Sequence, residues 1–145
     1  MTEEISDETN QHYSATNVRQ QFADTMLSVG TNDQKLVVVV GDISHGILQP
    51  FSEACPGRFY NIGILEPTTI SLGAGLSRSG LTPVIHTIAP FLLERSFEQI
   101  KLDFCYHKVS GNIITVGGAF DYANLGVRVV PHAIARYGSY LSKGV

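Results

Sequence analysis

The run NIGILEPTTISLGAGLSRSG, from Asn61 to Gly80, contains one acid, Glu66, placed where an apolar, strand-like stretch gives way to a helical one. A lone carboxylate at that junction has two readings. In the first turn of a helix it complements the partial positive charge of the unpaired N–H groups. Held at the end of a strand, it can instead donate or share a proton with a bound group. Two cysteines, Cys55 and Cys105, are the other chemically distinctive residues, and they share no short metal-ligand spacing. They read as free, mostly buried thiols.

The elements around Glu66 decide how firmly it is held. SATNVRQQFADTMLSVG carries Val18, Phe22, Met26 and Val29 at helical spacing, with Ser14 or Thr16 as a cap and Gly30 as a stop. KLVVVVGD is β-branched without alternation, as a parallel strand covered on both faces requires. Its end at Gly41 and Asp42 is the kind of strand-to-loop junction where open α/β sheets place ligands. ILQPFSEAC is a short helix bent or started by Pro50, and RFYNIGI a strand from Arg58 to Ile64. EPTTISLGAGLSRSG follows as a helix, with Pro67 in the first turn, where its missing N–H costs nothing. Gly73 and Gly75 lower helix propensity and read as close packing against a neighbouring backbone. TPVIHTIA is the next strand. FLLERSFEQIKLDFCY is one helix with Leu93, Phe97, Ile100 and Phe104 on a stripe, and GNIITVGGAFDYANLG a strand running into a glycine-rich loop. Alternating strands and helices imply a three-layer α/β/α fold with a mainly parallel sheet.

Composition narrows the partners. A chain of 145 residues, 43% hydrophobic and 16% charged, suits one globular domain. The net charge is −3 without a basic cluster, so no nucleic-acid partner is expected. LVVVV, the longest apolar run, is far too short to cross a bilayer, and no membrane partner is expected. The acidic start MTEEISDETNQ is unlike a signal peptide and reads as a solvated, disordered tail over residues 1–13, in keeping with a cytoplasmic location.

The ordered set RFYNIGILEPTTISLGAGLSRSG, TPVIHTIAPFLLERSFEQIKLDFCY and GNIITVGGAFDYANLG resembles the pyrimidine-binding domain of the transketolase family, over roughly residues 14–126. The resemblance implies thiamine diphosphate as cofactor. It matches Glu66 to the family's glutamate, which hydrogen-bonds a ring nitrogen of the cofactor's aminopyrimidine and so assists removal of a proton from the thiazolium carbon. It matches Phe91 to the aromatic that stacks on the pyrimidine ring; the alternative for Phe91 is core packing at a helix start. Ile88 stands where relatives often carry Phe, which thins the aromatic pocket. Arg95 either faces the active site or is a solvated helix residue. His86 either reaches substrate or is a hydrogen-bonded core residue. Asp42 and Ser44 sit at a family-typical strand end and shape its loop. Asp121 and Tyr122 belong to the loop that faces substrate in the relatives.

Two departures from the family pattern set further expectations. Nothing resembles the diphosphate-binding half, with its GDG start and metal-ligating Asn, so no metal site is expected in this chain. A separate subunit of a split transketolase is expected to hold the magnesium and diphosphate, in a homo- or hetero-oligomer. The likeness also ends after Gly126, leaving residues 127–145 as a divergent tail whose His132 stands too far along to match the family's substrate-loop histidine. That pattern suits a truncated chain somewhat better than an alternative ending, and the closing elements of the fold are then missing. The implied activity is transfer of a two-carbon ketol unit between sugar phosphates, only with the partner chain. The alternatives are an inactive subunit-binding module or remnant, or part of an enzyme like deoxyxylulose-phosphate synthase or the beta subunit of pyruvate dehydrogenase.

Overall fold

The computed structural model describes residues 15–118, with side chains from position 18 onward. Helix α1 (Ala15–Asn32) leads to strand β1 (Leu36–Val40), helix α2 (Gln49–Ala54), strand β2 (Phe59–Asn61) and helix α3 (Glu66–Arg78). Strand β3 (Thr82–Ile88) then runs directly into α4 (Ala89–Arg95), α5 (Phe97–Gln99), π-helical turns over Ile100–Tyr106, and strand β4 (Asn112–Val116).

The four strands form one parallel sheet in the order β2-β1-β3-β4. Val39 pairs with Tyr60 on one side and Ile85 on the other, while His86 pairs with Ile114. Successive residues point to opposite faces of a strand. Val38, Val40 and Val84 therefore pack with Ala23 and Met26 of α1 and with Phe51 of α2. On the opposite face Ile85 packs with Ile70 and Ala74 of α3, Leu92 of α4, and Ile100 and Phe104 of the π-helical turns. All five residues of β1 are buried, as its unbroken β-branched run predicted. The three-layer, mainly parallel α/β expectation holds over the described residues. Chain order reverses between β1 and β3, so the switch-point crevice lies beyond their carboxyl ends, near Gly41 and Ile88.

Several local expectations are corrected. Gly30 does not stop α1, which continues to Asn32; a β-carbon there would collide with Phe51, so the glycine lets α2 approach α1. The buried side of α1 runs through Ala23 and Met26, leaving Val18 and Val29 exposed. Strand β2 ends at Asn61 rather than Ile64, because the Asn61 side chain accepts the Gly63 N–H at 3.2 Å and Gly63 takes a φ of +79°. Gly73 approaches the Ile85 side chain of its own sheet, and Gly75 has open space around it, so neither packs against another backbone.

The single helix expected after β3 is interrupted at Ser96, whose φ of −119° ends α4. Below the break the chain widens into π-helical turns. Burial now falls on every fourth residue, at Leu92, Ser96, Ile100 and Phe104. Phe97 is turned outward and is exposed, and Leu93 is only half-buried. Cys55 is buried, Cys105 is half-buried, and both are free.

Candidate functional site

Glu66 is the first residue of α3, followed by Pro67, and is 2% exposed. A buried carboxylate needs hydrogen-bond donors or a counter-charge. Arg95 supplies both: its Nη1 lies 3.1 Å from Oε1 and 3.1 Å from Oε2. One nitrogen bridging two oxygens differs from the two-nitrogen fork of a fully bidentate pair. Arg95 itself stays half-exposed, with 44% of its side chain open to solvent. Among the described residues, both Glu66 oxygens take their hydrogen bonds from Arg95 and none from the N–H groups of α3.

Phe91 and Arg95 stand four residues apart on α4, so they share one face of that helix. The guanidinium carbon of Arg95 lies 4.1 Å from the centroid of the Phe91 ring, within cation–π range. Phe91 is 37% exposed and thus offers a platform instead of filling the core. The cluster is a buried acid, an aromatic face and a planar cation laid across both. It can accept hydrogen bonds from a flat ligand that rests on Phe91. Ile64 and Leu65, exposed by 64% and 53%, stand just before Glu66. Ile88 closes β3 immediately before α4 and is partly buried.

His86 is placed elsewhere. It points into the α1 layer and is fully buried, its ring 4.5 Å from that of Phe22. Its Nδ1 lies 2.9 Å from the Ile114 carbonyl, which only accepts, so Nδ1 carries the proton and donates. Nε2 then accepts from the Ser44 hydroxyl at 2.9 Å. Burial pushes the imidazole below its ordinary pKa, the Ile114 bond opposes that, and the Arg19 charge adds to it. His86 is a neutral, fully satisfied residue at the carboxyl end of β3.

The loop after β1 is held by this histidine and by Asn61, a residue that no sequence motif marks. Asp42 and Ser44 both take positive φ, 56° and 57°. Asn61 Oδ1 accepts the Asp42 N–H at 3.0 Å, and Asn61 Nδ2 donates to the Asp42 carboxylate at 3.2 Å. Of the residues singled out from sequence, the fold brings Glu66, Phe91 and Arg95 together and sets His86 with Ser44. Asp121 and Tyr122 lie outside the described residues, as do the tails 1–13 and 127–145. The four-residue spacing of Phe91 and Arg95 is a signal that could have paired them, whereas the alignment of Arg95 with Glu66, 29 residues earlier, needed the fold.

Among the described residues no group of three or more His, Cys, Asp or Glu side chains is arranged to hold a metal ion. None of the described helices is long and apolar enough to cross a membrane.

No family-level sequence profile matches the chain. Individual relatives do. It is 33% identical over 109 residues to a subunit of apulose-4-phosphate transketolase from Phocaeicola vulgatus, a match covering 74% of this chain and 35% of that one. It is 34% identical over 126 residues to 1-deoxy-D-xylulose-5-phosphate synthase of Syntrophomonas wolfei, covering 78% of this chain and 19% of the synthase. Among solved structures, a split-gene transketolase described as an inactive beta4 tetramer superposes with a TM-score of 0.60 at 34% identity, over 66% of this chain and 32% of that one. The chain thus spans about a third of the transketolase chains it matches and about a fifth of the synthase. By sequence and by its parallel sheet, the chain belongs to the transketolase family, to the part with the pyrimidine-binding-domain fold.

Proposed function

We propose that this chain is the pyrimidine-binding part of a thiamine diphosphate-dependent, transketolase-like enzyme, completed by a partner chain that carries the diphosphate-binding domain. The observation that carries the proposal is the buried Glu66 carboxylate beside the half-exposed Phe91 ring. A planar group with N–H donors fits between them, since the Arg95 guanidinium already lies there. The aminopyrimidine of thiamine diphosphate has the same flat face, and its ring nitrogen meets Glu66 either by accepting the carboxyl proton or, once protonated, by donating an N–H to the carboxylate.

In this reading Glu66 holds the ring-nitrogen edge and keeps or passes a proton there, Phe91 fixes the plane of the ring, and Ile88 borders it. Thiamine diphosphate, when bound, supplies a nucleophilic carbon able to break and form bonds beside a carbonyl. Magnesium and diphosphate fall to the partner chain. Ile64 and Leu65, exposed at the rim, support a covering partner, because large displayed apolar residues favour association. Homology to one subunit of apulose-4-phosphate transketolase and to a split-gene transketolase also supports a two-chain enzyme. The reaction is transfer of a two-carbon ketol unit between sugar phosphates. The synthase relative has similar identity to this chain, so identity alone does not rank the two reactions.

The test is reconstitution. The full chain is mixed with the diphosphate-binding chain of a split transketolase, and thiamine diphosphate binding with magnesium is followed by calorimetry beside ketol transfer. The chain alone binds weakly and does not turn over, and the mixture binds and is active. Glu66→Gln lowers turnover ~10²- to 10⁴-fold, the usual contribution of a general acid or base. A reconstituted pair in which Glu66→Gln retains full activity overturns the assignment.

A further inference from the structure

The same contacts that identify the site also fill it. Arg95 is the last residue of α4, directly before the break at Ser96. Its guanidinium covers the Phe91 ring, and one of its nitrogens hydrogen-bonds both oxygens of Glu66. A flat ligand stacking on Phe91 and donating to Glu66 needs the ring face and the acceptor atoms that Arg95 now occupies. The two occupants therefore exclude each other.

Arg95 is also built to leave. Glu66 is enclosed on the first turn of α3, only 2% exposed. Arg95 is half-exposed, ends its helix, and contacts Glu66 through a single nitrogen. An exposed guanidinium is readily rehydrated, so the cost of opening falls mainly on the carboxylate, which the incoming N–H edge satisfies in turn.

We infer that Arg95 gates the Glu66–Phe91 site: its guanidinium stands in for a planar, N–H-bearing heterocycle, and such a ligand enters only when Arg95 swings out to solvent. This rests on the reading of Glu66 and Phe91 as a pyrimidine site. The gate keeps a buried acid paired when no ligand is present. It also restricts entry to ligands that replace both the stacking and the hydrogen bonds, which a simple aromatic ring does not do.

The probe is 4-amino-5-hydroxymethyl-2-methylpyrimidine, titrated into the full chain by calorimetry with ring proton resonances of Phe91 followed by NMR. Arg95→Gln removes the charge and Arg95→Lys keeps it without the planar stack. Both variants are checked for native circular dichroism, and the lysine form retains a charge partner for Glu66 if the glutamine form folds poorly. Wild type binds weakly, and Arg95→Gln binds about tenfold tighter, a factor in keeping with loss of one cation–π and ion-pair contact. Arg95→Lys, which keeps the ion pair but loses the planar stack, shows a smaller gain. Adding Phe91→Ala to either variant abolishes the gain. If wild type binds as tightly as the variants and the Phe91 resonances shift, the pyrimidine site stands and the gate falls. A gain that survives Phe91→Ala places the probe elsewhere and also overturns the gate. If no form binds, the reading of Glu66 and Phe91 as a pyrimidine site falls, and the gate with it.

Discussion

His86 and Glu66 are both buried, both lie toward the carboxyl ends of the strands, and they are held in opposite ways. His86 is enclosed by groups fixed to the scaffold: a strand carbonyl, a loop hydroxyl and the Phe22 ring. Glu66 depends on one half-exposed arginine from another helix. The first arrangement is complete as it stands and leaves no atom for a ligand. The second is complete only while Arg95 remains, and on the proposed reading that partner is replaceable. Burial alone therefore does not mark a functional residue. What separates the two is whether the partner can be exchanged for something from outside.

The largest expected effect tests the fixed side. His86→Ala removes two hydrogen bonds and a ring contact, strands the Ile114 carbonyl, and opens a cavity. The full chain should lose roughly 2–4 kcal/mol in urea unfolding. The wild-type stability should also depend on pH in one direction. The folded imidazole titrates below its ordinary value near 6.5, so between the two values the unfolded chain binds more protons. The stability from keeping His86 neutral is thus fully present above about pH 6.5 and is lost as pH falls through the folded pKa. In His86→Phe that part of the slope should vanish. An unchanged slope would return the acid sensitivity to other groups.

The next effect, somewhat smaller, tests the exchangeable side through its asymmetry. Arg95→Met leaves the enclosed Glu66 carboxylate without its donor and should cost about 1–3 kcal/mol at neutral pH. Glu66→Gln leaves a half-exposed arginine that turns to water, and should cost less than about 1 kcal/mol. Equal losses in the two variants would mean that Arg95 is as firmly bound into the fold as Glu66. The contrast with His86 would then collapse.

Much of this was legible before the fold was known, and the reasons are local. LVVVV declares a strand covered on both faces because nothing in it tolerates water. Glu66-Pro67 declares a helix start because Pro67 fits the first turn. The failures are those in which a distant residue decides. Gly30 looked like a helix stop until Phe51 of α2 was placed against it. Strand β2 is the local exception: it looked longer, but ends where the Asn61 side chain takes the Gly63 N–H and Gly63 turns to positive φ. The stripe through Phe97 assumed an unbroken α-helix, and the break at Ser96 with the π-helical turns beyond it moved burial onto a four-residue rhythm. In the site, Glu66 and Phe91 were named from family motifs, but the contact of Arg95 with both is a product of two helices, α3 and α4, meeting.

The smallest expected effects separate two glycines on one helix. Both Gly73 and Gly75 lie inside α3, where replacing glycine by alanine gains up to about 1 kcal/mol in helix propensity. Gly75 is exposed and has nothing within 4 Å of a β-carbon, so Gly75→Ala should stabilise by about 0.5–1 kcal/mol. At Gly73 the same β-carbon would run into Ile85 Cδ1 and lie 3.0 Å from Cγ1. Ile85 is fully buried against Ile70 and Leu92, so it has little room to give, and overpacking of this kind costs about 1–3 kcal/mol. Gly73→Ala should therefore be neutral to destabilising by up to about 2 kcal/mol, opposite in sign to its neighbour. Ile85→Val removes the colliding methyl group at a cost of its own of about 0.5–1.5 kcal/mol. Combined with Gly73→Ala it should recover roughly 1 kcal/mol relative to additivity, since the two residues touch. Urea midpoints for the four forms of that cycle, with Gly75→Ala as the reference for propensity alone, decide it. Strict additivity would show that α3 shifts on the sheet as a body, in which case Glu66 at its first turn is carried by a mobile helix and not by a fixed one.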